Sequence, residues 1–142
     1  MPTSRVEPRW LSAEDVIAIN RDEVAETGEP FVVLDEGKLC GAVARPSMRW
    51  AYEATDDLAV LASSLLFDIA GSHAFAQGNK RTGFTAAAVF LELNGHTLDL
   101  GREGIEDALG PLIVAVIERR AAFDAFVACL GSCIVPHPPA GP

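Results

Sequence analysis

His73, Gln77, Gly78, Asn79, Lys80 and Arg81 fall within one eleven-residue stretch, HAFAQGNKRTG (73–83), of a 142-residue chain. An imidazole can take a proton from a hydroxyl group at neutral pH. A glycine lets the backbone close around a ligand with no Cβ in the way. An asparagine amide donates hydrogen bonds, and adjacent Lys and Arg add two full positive charges. An apolar run follows, so Asn79–Lys80–Arg81 reads as the first turn of a helix, where unsatisfied N–H groups and the helix dipole attract anions. Cations in a first turn oppose that dipole and slightly destabilise the helix unless an anion sits beside them. The set therefore points to phosphate: Gly78, Asn79, Lys80 and Arg81 bind it, and His73 accepts the proton of an attacking hydroxyl. Phe75 packs beneath the loop and fixes its shape. Gln77 adds one uncharged side-chain oxygen. Singly, a histidine before a helix or a Lys–Arg pair in a first turn is ordinary surface. Their conjunction in eleven residues is the signal.

Two apolar helices must hold this loop. Leu58, Leu61, Ala62, Leu65, Leu66 and Ile69 recur at helical spacing and predict a buried helix ending near Gly71. Phe84, Ala87, Ala88 and Leu91 predict a second, from about Lys80 to Leu93, closed by Asn94–Gly95. Upstream, Ser12 with Asp15 marks a helix start, Val16, Ile19 and Val24 face inward, and Gly28 and Pro30 stop it. Phe31 to Leu34 fits a short strand. Leu39, Ala42 and Val43 behind Asp35 predict a short helix ending before Pro46, with residues 47–57 as a connecting loop. Residues 105–129 read as one or two helices broken at Gly110–Pro111. The expected architecture is a single all-α domain over residues 1–130, the loop between two central helices, and a flexible tail over 131–142.

Composition narrows the function. A net charge of −9 argues against non-specific binding to nucleic acid or anionic membrane. The apolar fraction of 49% and charged fraction of 22% are those of a folded globule. Residues 108–117 are the longest greasy stretch, too short to span a bilayer and interrupted by Gly and Pro. The first ten residues lack the apolar core of a signal peptide. Three cysteines, an odd number, fit a reducing compartment, so a soluble cytoplasmic protein is expected.

HAFAQGNKRTG resembles the signature of the Fic/Doc family: His, any residue, Phe, any residue, Asp or Glu, Gly or Ala, Asn, Gly or Lys, Arg. KLCGAVARPSMRWAYE (38–53) and FTAAAVFLELNGH (84–96) are also similar to Doc-like members. The resemblance implies a Fic/Doc-type helical bundle. Lys80 stands where Fic adenylyltransferases have Gly, and Phe84 where they have a second Arg; both match the Doc (death-on-curing) branch. That branch implies a toxin of a toxin–antitoxin pair, restrained by an antitoxin of the Phd type. It also implies transfer of the terminal phosphate of ATP, with Mg²⁺, to a threonine of elongation factor Tu. His73 would be the base, and Asn79, Lys80 and Arg81 would hold the phosphates. Residues 45–53 would lie near a flap that aligns the target. Gln77 departs from the family's acidic residue, which implies weaker metal binding. AMP transfer, or a degenerate binding module, are the alternatives.

Other candidates are weaker. Cys129, Cys133 and His137 are four apart, a spacing that suits a metal on an unbroken helix. Gly131 and Pro136 interrupt that helix, so buried structural cysteines are the expectation. His96 reads as a loop residue, and Glu103, Glu106, Asp107 and Glu118 as solvated helix faces. Trp10, Trp50 and Tyr52 read as packing aromatics with peptide binding as the alternative.

Overall fold

The centre of the molecule is a pair of helices whose buried faces are mostly apolar, with Ser63, Ser64 and Thr82 as buried hydroxyl residues. In the computed structural model, which describes residues 5–101 and 104–137, the two helices are α3 (Leu58–Ser72) and α4 (Asn79–Leu93). Around them stand α1 (Ala13–Thr27), α2 (Glu36–Glu53), α5 (Ile105–Ile117) and α6 (Phe123–Gly131). Helix α1 packs on α4, α2 and α6 pack on α3, and α5 packs on α6. The architecture is the expected all-α bundle. Leu61, Leu65, Leu66 and Ile69 from α3 meet Ala86, Ala87, Phe90 and Leu91 from α4 in one buried core. Close approach is possible because α4 carries Gly83 there: a Cβ at that position would lie 2.6 Å from the Leu66 carbonyl oxygen.

Local signals set most of the ends. Ser12 and Asp15 form a reciprocal capping box for α1, and Gly28, at φ 72°, closes it. Asp35 and Asp57 cap α2 and α3 by accepting from Lys38 N and Ala59 N. Trp10 stacks on Phe90 at 5.7 Å, and Arg5 lies over the Trp50 ring at 4.2 Å, so both tryptophans pack; Tyr52 is exposed.

Two expected helix breaks are absent. Helix α2 continues through Pro46 to Glu53, so residues 47–53 are helical and not a loop. An interior proline costs roughly 3 kcal/mol. Leu39, Val43 and the Pro46 ring itself are buried on this helix, and each buried aliphatic chain returns about 1.5–3 kcal/mol. Helix α5 likewise passes through Gly110–Pro111, because Ile105, Leu109 and Ile113 form one buried stripe at spacing four. The break comes instead at residues 118–122, where Arg119 takes φ 61°.

An antiparallel ribbon adds to the helices: β1 (His96–Leu98) pairs with β2 (Ile134–Pro136). His96 thus begins a strand and is half-buried, not a loop residue. The stretch expected as a tail from 131 begins at the last residue of α6 and continues into β2; residues 138–142 lie outside the described residues.

Candidate active site

Helix α3 runs out at Ser72, and His73 caps it in the left-handed region at φ 49°, ψ 36°. Ser72 Oγ donates to the Ile69 carbonyl at 2.7 Å and accepts from Ala74 N at 3.3 Å, which tightens the turn. Beyond it Ala74 and Phe75 enter the core, at 0% and 1% exposure, while His73 stays exposed. Phe75 therefore packs beneath the loop, as expected. The imidazole lines two cavities and makes no hydrogen bond or ion pair among the described residues.

A second strand of chain lies against the loop. Leu34 N donates to Ala74 O at 2.7 Å and Ala76 N to Val32 O at 3.0 Å, with Val33 and Phe75 bridged antiparallel. The expected short strand at 31–34 is thus one bridge. It is Val32–Asp35, not the Arg45–Glu53 stretch, whose backbone lies beside the motif. Arg45 alone of that stretch lines a cavity shared with His73.

The loop then turns into α4. Gly78 is its N-cap at φ 76°, and a Cβ there would crowd Val24 Cγ1 at 3.2 Å. Asn79 is not a free phosphate donor. Its Oδ1 accepts from Phe75 N at 3.1 Å and its Nδ2 donates to Phe75 O at 2.8 Å, closing residues 75–79 into a clamp. One further Nδ2 hydrogen is left over. Asn20, which the sequence pattern did not reveal, secures the same loop from α1. It is 1% exposed, and its Nδ2 donates to Gln77 O at 2.9 Å and Thr82 Oγ1 at 3.0 Å. The available signal was a polar residue at spacing four between Val16 and Val24.

The two cations differ. Lys80 is exposed and makes no ion pair among the described residues. Arg81 is engaged: it bonds Glu29, a residue not singled out in the sequence, and reaches Thr27 Oγ1 at 3.3 Å and Glu23 O at 3.4 Å. Hydrogen bonds from Thr27 and then Arg81 hold the Glu29 carboxyl below the usual glutamate range. An acidic side chain thus already occupies the guanidinium that the sequence assigned to phosphate.

His73, Gln77, Gly78, Lys80, Arg81 and Glu29 line one open cavity of about 320 Å³. Its floor is the N-terminal turn of α4, so it combines unpaired N–H groups, two cations and an imidazole. That suits a polyphosphate. Gln77 is exposed and brings only a neutral oxygen, and among the described residues no three His, Cys, Asp or Glu side chains gather to hold a metal. A neutral amide oxygen at Gln77 is a poorer Mg²⁺ ligand than a carboxylate. Cys129, Cys133 and His137 do not come together either. Cys133 is buried with its thiol on Cys129 O, and His137 pairs with Glu92 at 2.7 Å. Asp107 and Glu118 are exposed as expected, while Glu103 lies outside the described residues, as does the side chain of Glu106.

A helical bundle with a cationic helix start beside an exposed histidine has the parts that a transferase acting on phosphate esters would need. Similarity narrows that class. The Fic/DOC family model matches residues 10–91. The chain is 32% identical to Protein kinase doc of Escherichia phage P1 over 87 residues, which covers 61% of this chain and 69% of the relative. It is 35% identical to Toxin Doc of Mycolicibacterium smegmatis over 120 residues, or 84% of this chain and 88% of that one. The chain belongs to the Fic/Doc family, and it is an enzyme of that family similar to Doc toxins. No helix among the described residues is long and apolar enough to cross a membrane.

Proposed function

We propose that this chain is a cytoplasmic Doc-like toxin that moves the terminal phosphate of ATP to a threonine hydroxyl of a translation factor such as elongation factor Tu, under restraint by an antitoxin of the Phd type. The observation that carries this reading is that His73 and the cationic first turn of α4 line one cavity together. In it the α4 N–H groups and Lys80 hold the phosphates. Arg81 joins them by leaving Glu29, so nucleotide binding exchanges one anionic partner for another. His73 takes the proton of the acceptor hydroxyl as its oxygen bonds to phosphorus, and ADP departs. The asparagine clamp acts by positioning, since it keeps His73 and the helix start in one frame. Mg²⁺ would enter with the nucleotide, and Gln77 would offer it at most a neutral oxygen.

Expression of the chain in bacteria tests the reading. Growth arrest by the wild type, and its loss in a folded His73→Ala variant, are expected. A fully toxic His73→Ala would end the assignment. A second reading, a binding module without transfer, draws support from Gln77 standing where a carboxylate would hold metal.

A further inference from the structure

His73 belongs to two cavities and is the one lining residue they share. The first is the phosphate cavity. The second, about 420 Å³, opens between α2 and α3 and is bordered by Lys38, Arg45, Phe67, Asp68 and His73. Glycines 41 and 71 line it as well, and a Cβ at either would meet nothing within 4 Å, so its walls leave room. A proton acceptor in phosphoryl transfer must meet two reactants from different sides. The oxygen being deprotonated comes from one, the phosphorus it attacks from the other. The helix-start cavity supplies the phosphate side. That leaves the α2–α3 cavity for the acceptor.

Its chemistry indicates what the acceptor carries. Lys38 makes no ion pair among the described residues. Arg45 is 62% exposed and touches Asp68 only at 3.4 Å, a long, weak contact; Arg49 approaches the same carboxylate at 3.9 Å. Asp68, 11% exposed, also accepts from Ser64 at 3.1 Å. Burial pushes its carboxyl above the usual aspartate range despite these partners. Two cations thus line the cavity against one anion that is itself bonded from behind. This stands out on a chain of net charge −9.

We propose that the α2–α3 cavity binds the acceptor polypeptide through a carboxylate side chain presented beside its hydroxyl, with Lys38 and Arg45 as the cationic partners. The proposal rests on the phosphoryl-transfer reading only for the acceptor's role; the binding itself needs no nucleotide.

The test is fluorescence anisotropy of the full chain with three short labelled peptides, each with a central threonine, flanked by Glu, by Lys, or by Ser and Gly. The Glu peptide should bind most tightly, on the order of tenfold above the Lys peptide, and lose affinity with salt. Lys38→Glu combined with Arg45→Gln should erase that preference while the circular dichroism spectrum is kept. Arg120→Glu, at a residue that lines neither cavity, should preserve it. Equal binding of Glu and Lys peptides, or a preference untouched by the double substitution, would overturn the proposal. So would displacement of the Glu peptide by inorganic phosphate with equal effectiveness in the wild type and the double variant, since the peptide would then sit at the helix start. Peptide binding without phosphate transfer would instead count against the kinase reading and leave this one standing.

Discussion

Replacing Asn79 with alanine separates a structural role from a ligand role. The side chain makes two hydrogen bonds to the Phe75 backbone, at 3.1 Å and 2.8 Å. Each is worth about 1 kcal/mol net, and both are lost together, which leaves a part-buried N–H and C=O without partners. The expected cost is about 2 kcal/mol. For a domain of this size that is a drop in Tm of roughly 6–8 °C. Asn79→Asp should be no better: it keeps the acceptor for Phe75 N but sets an oxygen against the Phe75 carbonyl. Urea denaturation of the nucleotide-free protein, read by circular dichroism, measures both. A residue that only bound phosphate would leave the empty protein untouched. An Asn79→Ala variant within 0.5 kcal/mol of wild type, a change typical of a neutral surface substitution, would refute the clamp.

Glu29→Gln keeps an acceptor for Arg81 and Thr27 but removes the charge, so calorimetry should show ATP binding tighter by a few-fold to roughly tenfold. Unchanged affinity would mean that Arg81 does not hold phosphate. Asp68 sets a pH dependence. Burial raises its carboxyl in the fold, so its favourable contribution is complete below roughly pH 4 and declines as pH rises through the raised value. Denaturation across pH should therefore show wild type losing stability relative to Asp68→Asn over that window, and a constant gap would contradict this. Gly83→Ala forces a Cβ to 2.6 Å from the Leu66 carbonyl oxygen. Overpacking of about 1–3 kcal/mol, less about 1 for the better helix former, should leave the protein less stable; a gain would show that α3 and α4 can move apart.

The central helices and the loop between them were legible because their signals are local: apolar spacing in Leu58–Ile69, and glycine before a polar first turn at 78–81. What was illegible depends on contacts distant in sequence. Asn79 looked like a donor awaiting phosphate, since nothing in its neighbours says that Phe75 takes both its atoms. Arg81 looked free because Glu29 stands 52 residues away. Pro46 and Pro111 read as breaks because propensity speaks for the isolated helix, whereas burial of Leu39, Val43, Leu109 and Ile113 decides the folded one. The β1–β2 ribbon joins two three-residue strands whose pattern is too short to register.

In the proposed reaction His73 and the α4 start move a terminal phosphate. The most direct test incubates the chain, Mg²⁺ and elongation factor Tu with ATP labelled at the γ-phosphate in one tube and at the α-phosphate in another. A whole-cell extract runs beside each. Label on protein is expected from the γ position alone, and is expected to be absent with His73→Ala. Label from the α position would make the chain an adenylyltransferase and contradict the reading of Lys80, and no label from either, with the protein folded, would contradict catalysis itself.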